Sequence, residues 1–205
     1  MTAETINTMP EDTIIHPRWV RICHWINALA ILVMIGSGWQ VYNASPLFNF
    51  TFPAGTTLGG WLAGALLWHF AGMWVFVTNG IIYVTLGVLT NRFRRKLLPI
   101  RPAEVISDIW AALSFKLAHD DLSHYNAVQK LLYSGVILAG IVIVLSGLSI
   151  WKPVQFQELT TLFGGYDTAR YVHFFAMAAI VGFLVVHIAL ALIVPKSLRA
   201  MITGR

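Results

Sequence analysis

Two histidines in the last third of the chain, His173 and His187, are the residues whose type and spacing could do chemistry together. They are the only strongly polar side chains between Tyr171 and Val194. At about 100° per residue, a separation of fourteen positions falls about 40° short of four helical turns, so both imidazoles lie on one helix face. They are then about 21 Å apart along the axis, which places one nitrogen ligand near each side of a membrane.

The segment that carries these histidines is one of four long apolar stretches. Of the 205 residues, 57% are hydrophobic and 11% are charged, against about 25% charged residues in ordinary soluble domains. Because a helix needs about 20 apolar residues to cross a bilayer, we predict an all-α, integral membrane four-helix bundle. Its predicted spans are residues 20–42, 63–90, 130–151 and 170–194. The predicted domains are a polar N-terminal arm over 1–17 and a single membrane domain over 18–205, with interfacial helices within 102–129.

The basic residues indicate the orientation of this bundle. Of the 14 Lys and Arg residues, 12 flank the predicted spans on the side that holds both termini, and only Lys152 and Arg170 lie on the other. The positive-inside rule therefore predicts that both termini are cytoplasmic. The net charge of +5 is explained by this topology signal, and no nucleic-acid partner is expected. The single cysteine, Cys23, excludes an internal disulfide and the CxxCH attachment of a c-type haem.

The spans contain four histidines at two depths. His24 lies about 6 Å inside the cytoplasmic start of its span, and His187 about 10 Å from the cytoplasmic end of its own. His69 and His173 lie near the outer starts of theirs. Depth alone therefore pairs His24 with His187 on the inside and His69 with His173 on the outside.

Paired histidines inside a membrane favour a haem over other chemistry. A lone membrane histidine is usually a hydrogen-bonded interior residue, but ionisable groups there are costly, and four matched in depth are hard to explain separately. A proton relay would use a buried carboxylate, and the predicted spans contain none. A zinc site would need three or four ligands at one depth, whereas each depth here offers only two. Two trans nitrogens suit a six-coordinate haem iron. Aromatic residues are predicted to line the slot: Trp25, Trp68, Phe70, Phe174 and Phe175.

Other polar residues lie at the edges of the spans. Arg21 is one turn before His24, and Arg170 is one turn before His173, so each could hold a haem propionate, as could Lys152. The alternative is that all three are interfacial anchors. The remaining histidines, His16, His119 and His124, are expected to be solvated or interfacial.

Several of these residues together resemble a known family. Arg21-x-x-His24-Trp25, His69-Phe70, and Arg170-x-x-His173 followed by His187 are similar to the bacterial cytochrome b561 family. This family includes the membrane cytochrome b subunits of nickel-iron hydrogenases and formate dehydrogenases. The resemblance implies a bundle in the bacterial inner membrane that binds two non-covalent haems b. It implies His24 with His187 as iron ligands of the inner haem, and His69 with His173 as those of the outer haem.

The resemblance also implies a function. Members of this family pass electrons between a partner enzyme and the quinone pool, and a quinone site beside the cytoplasmic haem is expected. Residues 42–48 and 150–155 resemble members that accompany periplasmic molybdopterin oxidoreductases. We therefore predict a di-haem electron-transfer subunit, embedded in membrane lipid, that connects a periplasmic oxidoreductase or cytochrome to quinone.

Two alternatives to this function remain at this point. One is a stand-alone superoxide:quinone oxidoreductase, so whether the chain is itself an enzyme stays open. Such an enzyme would need an open, basic approach on the outer face, where Lys152 and Arg170 are the candidate residues. The other alternative is a haem-free membrane anchor for a soluble partner.

Overall fold

Long apolar helices dominate the fold, and short helices connect them. The computed structural model describes residues 14–113 and 125–204. The helices, in chain order, are α1 (Arg18–Ala44), α2 (Leu62–Leu89), α3 (Arg92–Leu97), α4 (Pro102–Leu113), α5 (Ala127–Trp151), α6 (Gln157–Leu162), α7 (Tyr166–Ile193) and α8 (Pro195–Thr203). A single 3-10 turn, Ala54–Thr56, lies in the loop between α1 and α2. Within the described ranges there is no β-strand.

Four of these helices, α1, α2, α5 and α7, are long and apolar enough to cross a membrane, with 27, 28, 25 and 28 residues. The predicted all-α membrane bundle is therefore confirmed. Helices suit this environment because each satisfies its backbone hydrogen bonds internally. All four begin one to four residues before the predicted spans, because the helical backbone continues past the apolar core into the interface.

The starts of α5 and α7 show what sets these boundaries. At α5, the Asn126 side chain accepts a hydrogen bond from the Gln129 amide at 2.7 Å, and Gln129 Oε1 accepts one from the Asn126 amide at 3.1 Å. Asp108 of α4 also accepts from the Ala127 amide at 2.8 Å, which ties α4 to this helix end. At α7, the preceding Gly165 has φ 98°, a conformation that glycine adopts without strain.

The spanning helices pack as two pairs. Helix α1 packs along α2, and α5 packs along α7. Asn79 of α2 is buried and joins the first pair: its amide nitrogen donates to the Cys23 carbonyl at 2.8 Å and to Asn27 Oδ1 at 2.7 Å. Such interhelical hydrogen bonds stabilise membrane bundles. Histidine and aromatic rings make contacts between the α1–α2 pair and the α5–α7 pair. The ring centroids of Phe70 and Trp151, for example, are 5.0 Å apart.

The two described ends of the chain meet at one end of the bundle. The Ile15 amide donates to the Gly204 carbonyl at 2.9 Å, and Arg21 Nη1 donates to the Ile202 carbonyl at 2.7 Å. Arg92 of α3 lies beside His16 on the same side. The basic segments that the sequence assigned to one side are therefore together in space. That this side is cytoplasmic stays a prediction from charge.

Some predicted features lie outside the described residues. These are most of the N-terminal arm over 1–17, residues 114–124 of the predicted interfacial region, and with them His119 and His124. Helix α4 covers the first part of that region, residues 102–113. The short helix α6 lies within the segment that connects α5 to α7.

His16, expected to be solvated or interfacial, is buried rather than solvated, so only the interfacial alternative stays a prediction at this position. Its side chain is 8% exposed, and its Nδ1 lies 3.3 Å from a guanidinium nitrogen of Arg92. Because a guanidinium only donates, Nδ1 accepts and the ring is neutral. Burial is the main cause that lowers the pKa of His16 to about 4, followed by the charges of Arg92, Lys96, His24 and Arg21.

This depressed pKa predicts that the protein loses stability in mild acid. The unfolded chain protonates His16 near pH 6.5, whereas the folded chain does so only near pH 4. Stability is therefore intact above pH 6.5 and decreases as the pH falls towards 4, by up to about 3 kcal/mol. Thermal unfolding in detergent at about pH 7 and about pH 5 measures this. The variant His16→Gln should show a smaller loss between the two, and an equal loss in both proteins would contradict the assignment.

Candidate functional site

The four membrane histidines meet as two pairs across the bundle. His69 of α2 and His173 of α7 have ring centroids 6.4 Å apart. His24 of α1 and His187 of α7 have ring centroids 5.9 Å apart. Helix α7 supplies one member of each pair, and its partners come from the other helix pair. The structure thus brings together the residues that depth and spacing had paired, although their role as iron ligands remains a prediction.

The separations within the pairs fit a shared iron. With a metal–imidazole bond of about 2.0 Å and ring nitrogens about 1.1 Å from the ring centre, imidazoles on opposite sides of one metal have centroids about 6.2 Å apart. The observed values of 6.4 and 5.9 Å lie on either side of this figure. Among the described residues no three His, Cys, Asp or Glu side chains converge. The donor set therefore suits a metal that brings its own equatorial ligands, as haem does.

A buried serine holds each ring of the pair His69–His173, named the outer pair after the predicted orientation, with His24–His187 as the inner pair. Ser37 Oγ lies 3.1 Å from Nδ1 of His69, and Ser146 Oγ lies 3.2 Å from Nδ1 of His173. Both serines are fully buried, at 0% exposure. Hydrogen bonds at Nδ1 orient an imidazole so that its Nε2 can ligate a metal.

A glycine follows each of these serines, and it lets the histidine approach closely. A Cβ on Gly38 would lie 3.4 Å from Cε1 of His69, and a Cβ on Gly147 would lie 3.1 Å from Cε1 of His173. Any larger side chain at Gly147 would therefore press on the ring. The outer pair is held by the same Ser-Gly dipeptide on α1 and on α5.

The inner pair lies among aromatic rings instead. Trp25 contacts His24 edge to face at 5.2 Å, and Phe183 stacks on His187 at 5.4 Å with an interplanar angle of 14°. Within the part of the chain that the structure describes, neither inner ring has a hydrogen-bond partner. The two pairs therefore share a ligand geometry but differ in how their rings are held.

Aromatic residues of the first outer loop pack against α7 next to His173. Phe174, the residue after His173, packs against Tyr42 and Phe48, with ring centroids 5.3 and 5.2 Å apart, respectively. The Asn43 side chain holds the loop through two hydrogen bonds to the Phe52 backbone, at 2.9 and 2.8 Å. The loop thus covers the outer end of the bundle beside the outer pair.

The other predicted slot residues do not all face inwards. Trp25 lies beside His24, Phe70 packs on Trp151, and Phe174 joins the loop cluster. Trp25, Trp68 and Phe175 are 47%, 50% and 59% exposed, so about half of each residue or more faces the surroundings of the bundle.

The three candidate propionate contacts already have partners within the chain. Arg170 donates to the carbonyl and the hydroxyl of Ser45, and Lys152 lies over the Trp151 ring at 5.3 Å. Arg21 Nη1 donates to Ile202, but its Nε is buried and has no hydrogen-bond partner among the residues that the structure describes. Of the three, Arg21 therefore has a donor that an anionic group would satisfy.

Arg21 also lies in an open groove of about 460 Å³ at the end of the bundle that carries the chain termini. Its lining residues come from α1 and α8: Arg18, Arg21, Ile22, Trp25, Ile26, Met201 and Ile202. Cationic side chains lie beside apolar ones, and Trp25 connects the groove to His24.

Ser37 and Ser146 are the site residues that sequence reasoning did not find. The available signal was the dipeptide Ser-Gly, which occurs as Ser37-Gly38 in the first span and twice in the third span, as Ser134-Gly135 and Ser146-Gly147. No sequence feature stated which histidine each serine would face.

Comparison with known proteins identifies the class of protein that has this bundle and these paired histidines. Residues 15–204 match the family described as prokaryotic cytochrome b561. The chain therefore belongs to this family, as a multi-pass, haem b-binding electron-transfer protein of the bacterial inner membrane.

One relative is similar along nearly the whole chain. It is the Azospira oryzae protein named "Putative protein-methionine-sulfoxide reductase subunit YedZ1". The two chains are 49% identical over 190 residues, which cover 93% of this chain and 96% of the relative.

Proposed function

We propose that this protein is a di-haem b subunit that moves electrons between a periplasmic redox partner and the membrane quinone pool. The observation that carries the proposal is the pairing of four membrane histidines at two depths. His69 with His173 would hold the outer haem, and His24 with His187 the inner haem, at centroid separations of 6.4 and 5.9 Å. When bound, haem b supplies a one-electron iron couple.

The protein's own contribution is to hold, orient and bury these groups. His187 is fourteen positions after His173 on α7, which places the two sites about 21 Å apart along the helix axis. The apolar spans exclude water from both sites. Arg21 is the best supported of the proposed propionate contacts, since its Nε is buried and no described residue bonds to it. Arg170 and Lys152 would have to exchange or share their present contacts.

We place the quinone site on the inner side, at the groove between α1 and α8. Its Arg18 and Arg21 could donate hydrogen bonds to quinone carbonyl oxygens, while Ile22 and Ile26 offer an apolar surface to the ring and tail. Trp25 brings the groove into contact with His24 at 5.2 Å. A volume of about 460 Å³ is in the usual range of small-molecule sites.

The partner is proposed to dock on the outer side, where the aromatic loop covers the outer pair. The similar protein from Azospira oryzae is named as a subunit of a protein-methionine-sulfoxide reductase. This name supports an oxidoreductase as partner, and we propose a periplasmic, molybdopterin-dependent one. Co-purification of the solubilised chain with its partner tests this, and recovery of a cytosolic enzyme alone would contradict the outer docking side.

Neither alternative function is favoured by a specific observation. A stand-alone superoxide-oxidising enzyme would need free cations on the outer face, but Arg170 is bonded to Ser45 and Lys152 lies over Trp151. A haem-free anchor would give no reason for four histidines in two facing pairs.

The deciding experiment is a measurement of haem in the purified protein. A pyridine haemochrome assay should give about two haems b per chain, and a quinol added to the oxidised protein should produce the reduced-minus-oxidised spectrum of a b-type cytochrome. Protein without haem absorption would refute the proposal in favour of an anchor. A ratio of about one haem per chain would refute the di-haem assignment.

A further inference from the structure

The two serines of the outer pair occupy equivalent positions on different helices. Ser37 Oγ lies 2.6 Å from the Val33 carbonyl, four residues earlier on α1, and 3.1 Å from Nδ1 of His69. Ser146 Oγ lies 2.7 Å from the Val142 carbonyl, four residues earlier on α5. It lies 3.2 Å from Nδ1 of His173.

These contacts determine where the ring proton lies. A carbonyl only accepts, so at 2.6 and 2.7 Å the serine hydroxyls donate to Val33 and Val142. Each Oγ then offers lone pairs to the histidine, and Nδ1 must carry the proton that it donates. In this tautomer Nε2 has its lone pair free for a metal.

We propose that Ser37 and Ser146 are positioning residues of the outer haem site, which fix the ligating tautomer of His69 and His173 and lower the reduction potential of the outer haem. This inference rests on the proposed di-haem function. A histidine that donates Nδ1–H to an oxygen is a more basic ligand. A more basic ligand stabilises the ferric over the ferrous state, and hydrogen bonding to the ligands is one of the means by which proteins tune haem potentials.

The inner pair provides the internal comparison. Within the described residues no hydroxyl or carbonyl is hydrogen-bonded to the rings of His24 and His187, which lie against Trp25 and Phe183. Removing a serine should therefore change the outer one-electron couple and leave the inner couple as it is.

The matched control is Ser149, on the same helix as Ser146. It is equally buried, at 0% exposure, and it also donates to the carbonyl four residues earlier, that of Leu145, at 3.1 Å. It contacts no histidine in the described structure. Ser149→Ala therefore removes a buried hydroxyl from α5 without touching the outer pair.

The test is a spectroelectrochemical titration of the purified full chain and of Ser37→Ala, Ser146→Ala, the double variant and Ser149→Ala. The outer couple is identified as the one missing from His69→Ala. We expect its midpoint potential to become more positive in each serine variant, and most positive in the double variant. The inner couple, and both couples of Ser149→Ala, should not move. Loss of the outer haem from Ser146→Ala but not from Ser149→Ala also supports the positioning role.

Three outcomes would overturn the inference. They are an outer couple that does not move in Ser37→Ala or Ser146→Ala, an inner couple that moves as far as the outer one, and a Ser149→Ala variant that behaves like Ser146→Ala. The failure of the proposed function looks different, because the unmodified protein would then lack two couples before any serine is changed.

Discussion

Replacing His187 with alanine is expected to reduce the haem content of the purified protein from about two haems b per chain to about one. The reason is geometric. The centroid of the His187 ring lies 5.9 Å from that of His24, whereas His173 of the outer pair is fourteen positions away on α7. Loss of one of two axial ligands from an apolar site leaves the haem held by a single histidine. The pyridine haemochrome assay and the amplitude of the reduced-minus-oxidised spectrum measure the loss.

Double variants test the pairing more sharply than single ones. If His24 and His187 serve one haem, removing both should cost no more haem than removing either, and about one haem per chain should remain. Combining His24→Ala with His173→Ala should instead remove both haems. His16→Ala is the control, since His16 lies outside the spans and contacts Arg92. Haem loss from the His24/His187 double variant that exceeds that of its single variants would refute the pairing.

Much of the bundle could be predicted from the sequence because the bilayer imposes strong constraints. The spans follow from hydropathy, since a backbone in hydrocarbon must satisfy its own hydrogen bonds. The depth of each histidine follows from its position in a helix of known rise. The helix starts were less predictable: Asn126 and Gly165 set them through capping and backbone conformation, and neither depends on hydropathy.

The support of the site was harder to predict than its histidines. A serine in a membrane helix usually bonds to the carbonyl of its own helix, and Ser37 and Ser146 do so. That they also meet a histidine depends on the rotation of α1 against α2 and of α5 against α7. His16 shows the same limit, because its burial depends on α3, which follows it by more than seventy residues.

Substitution of Gly147 is also expected to have a large effect on the haem content. Replacing it with leucine is expected to displace the His173 ring and to remove the outer haem, leaving about one haem per chain. Even the Cβ alone would lie 3.1 Å from Cε1 and 3.4 Å from Nδ1 of His173. The ring has little freedom to retreat, because its Nδ1 is held by Ser146.

Gly135→Leu on the same helix is the matched control, since a Cβ there meets no atom of the described residues within 4 Å. Both substitutions raise the intrinsic helix propensity of α5 by about 0.5–1 kcal/mol, so a difference between them reflects the contact with His173. Gly135→Leu should keep its full haem content, whereas Gly147→Leu should lose the couple that is also absent from His69→Ala. Equal haem content in the two leucine variants would show that Gly147 is not needed for the close approach of His173. A Cβ on Gly38 would lie at the wider distance of 3.4 Å from Cε1 of His69. Gly38→Ala should therefore be tolerated better than Gly147→Ala, whereas Gly38→Leu should lose the same couple as Gly147→Leu.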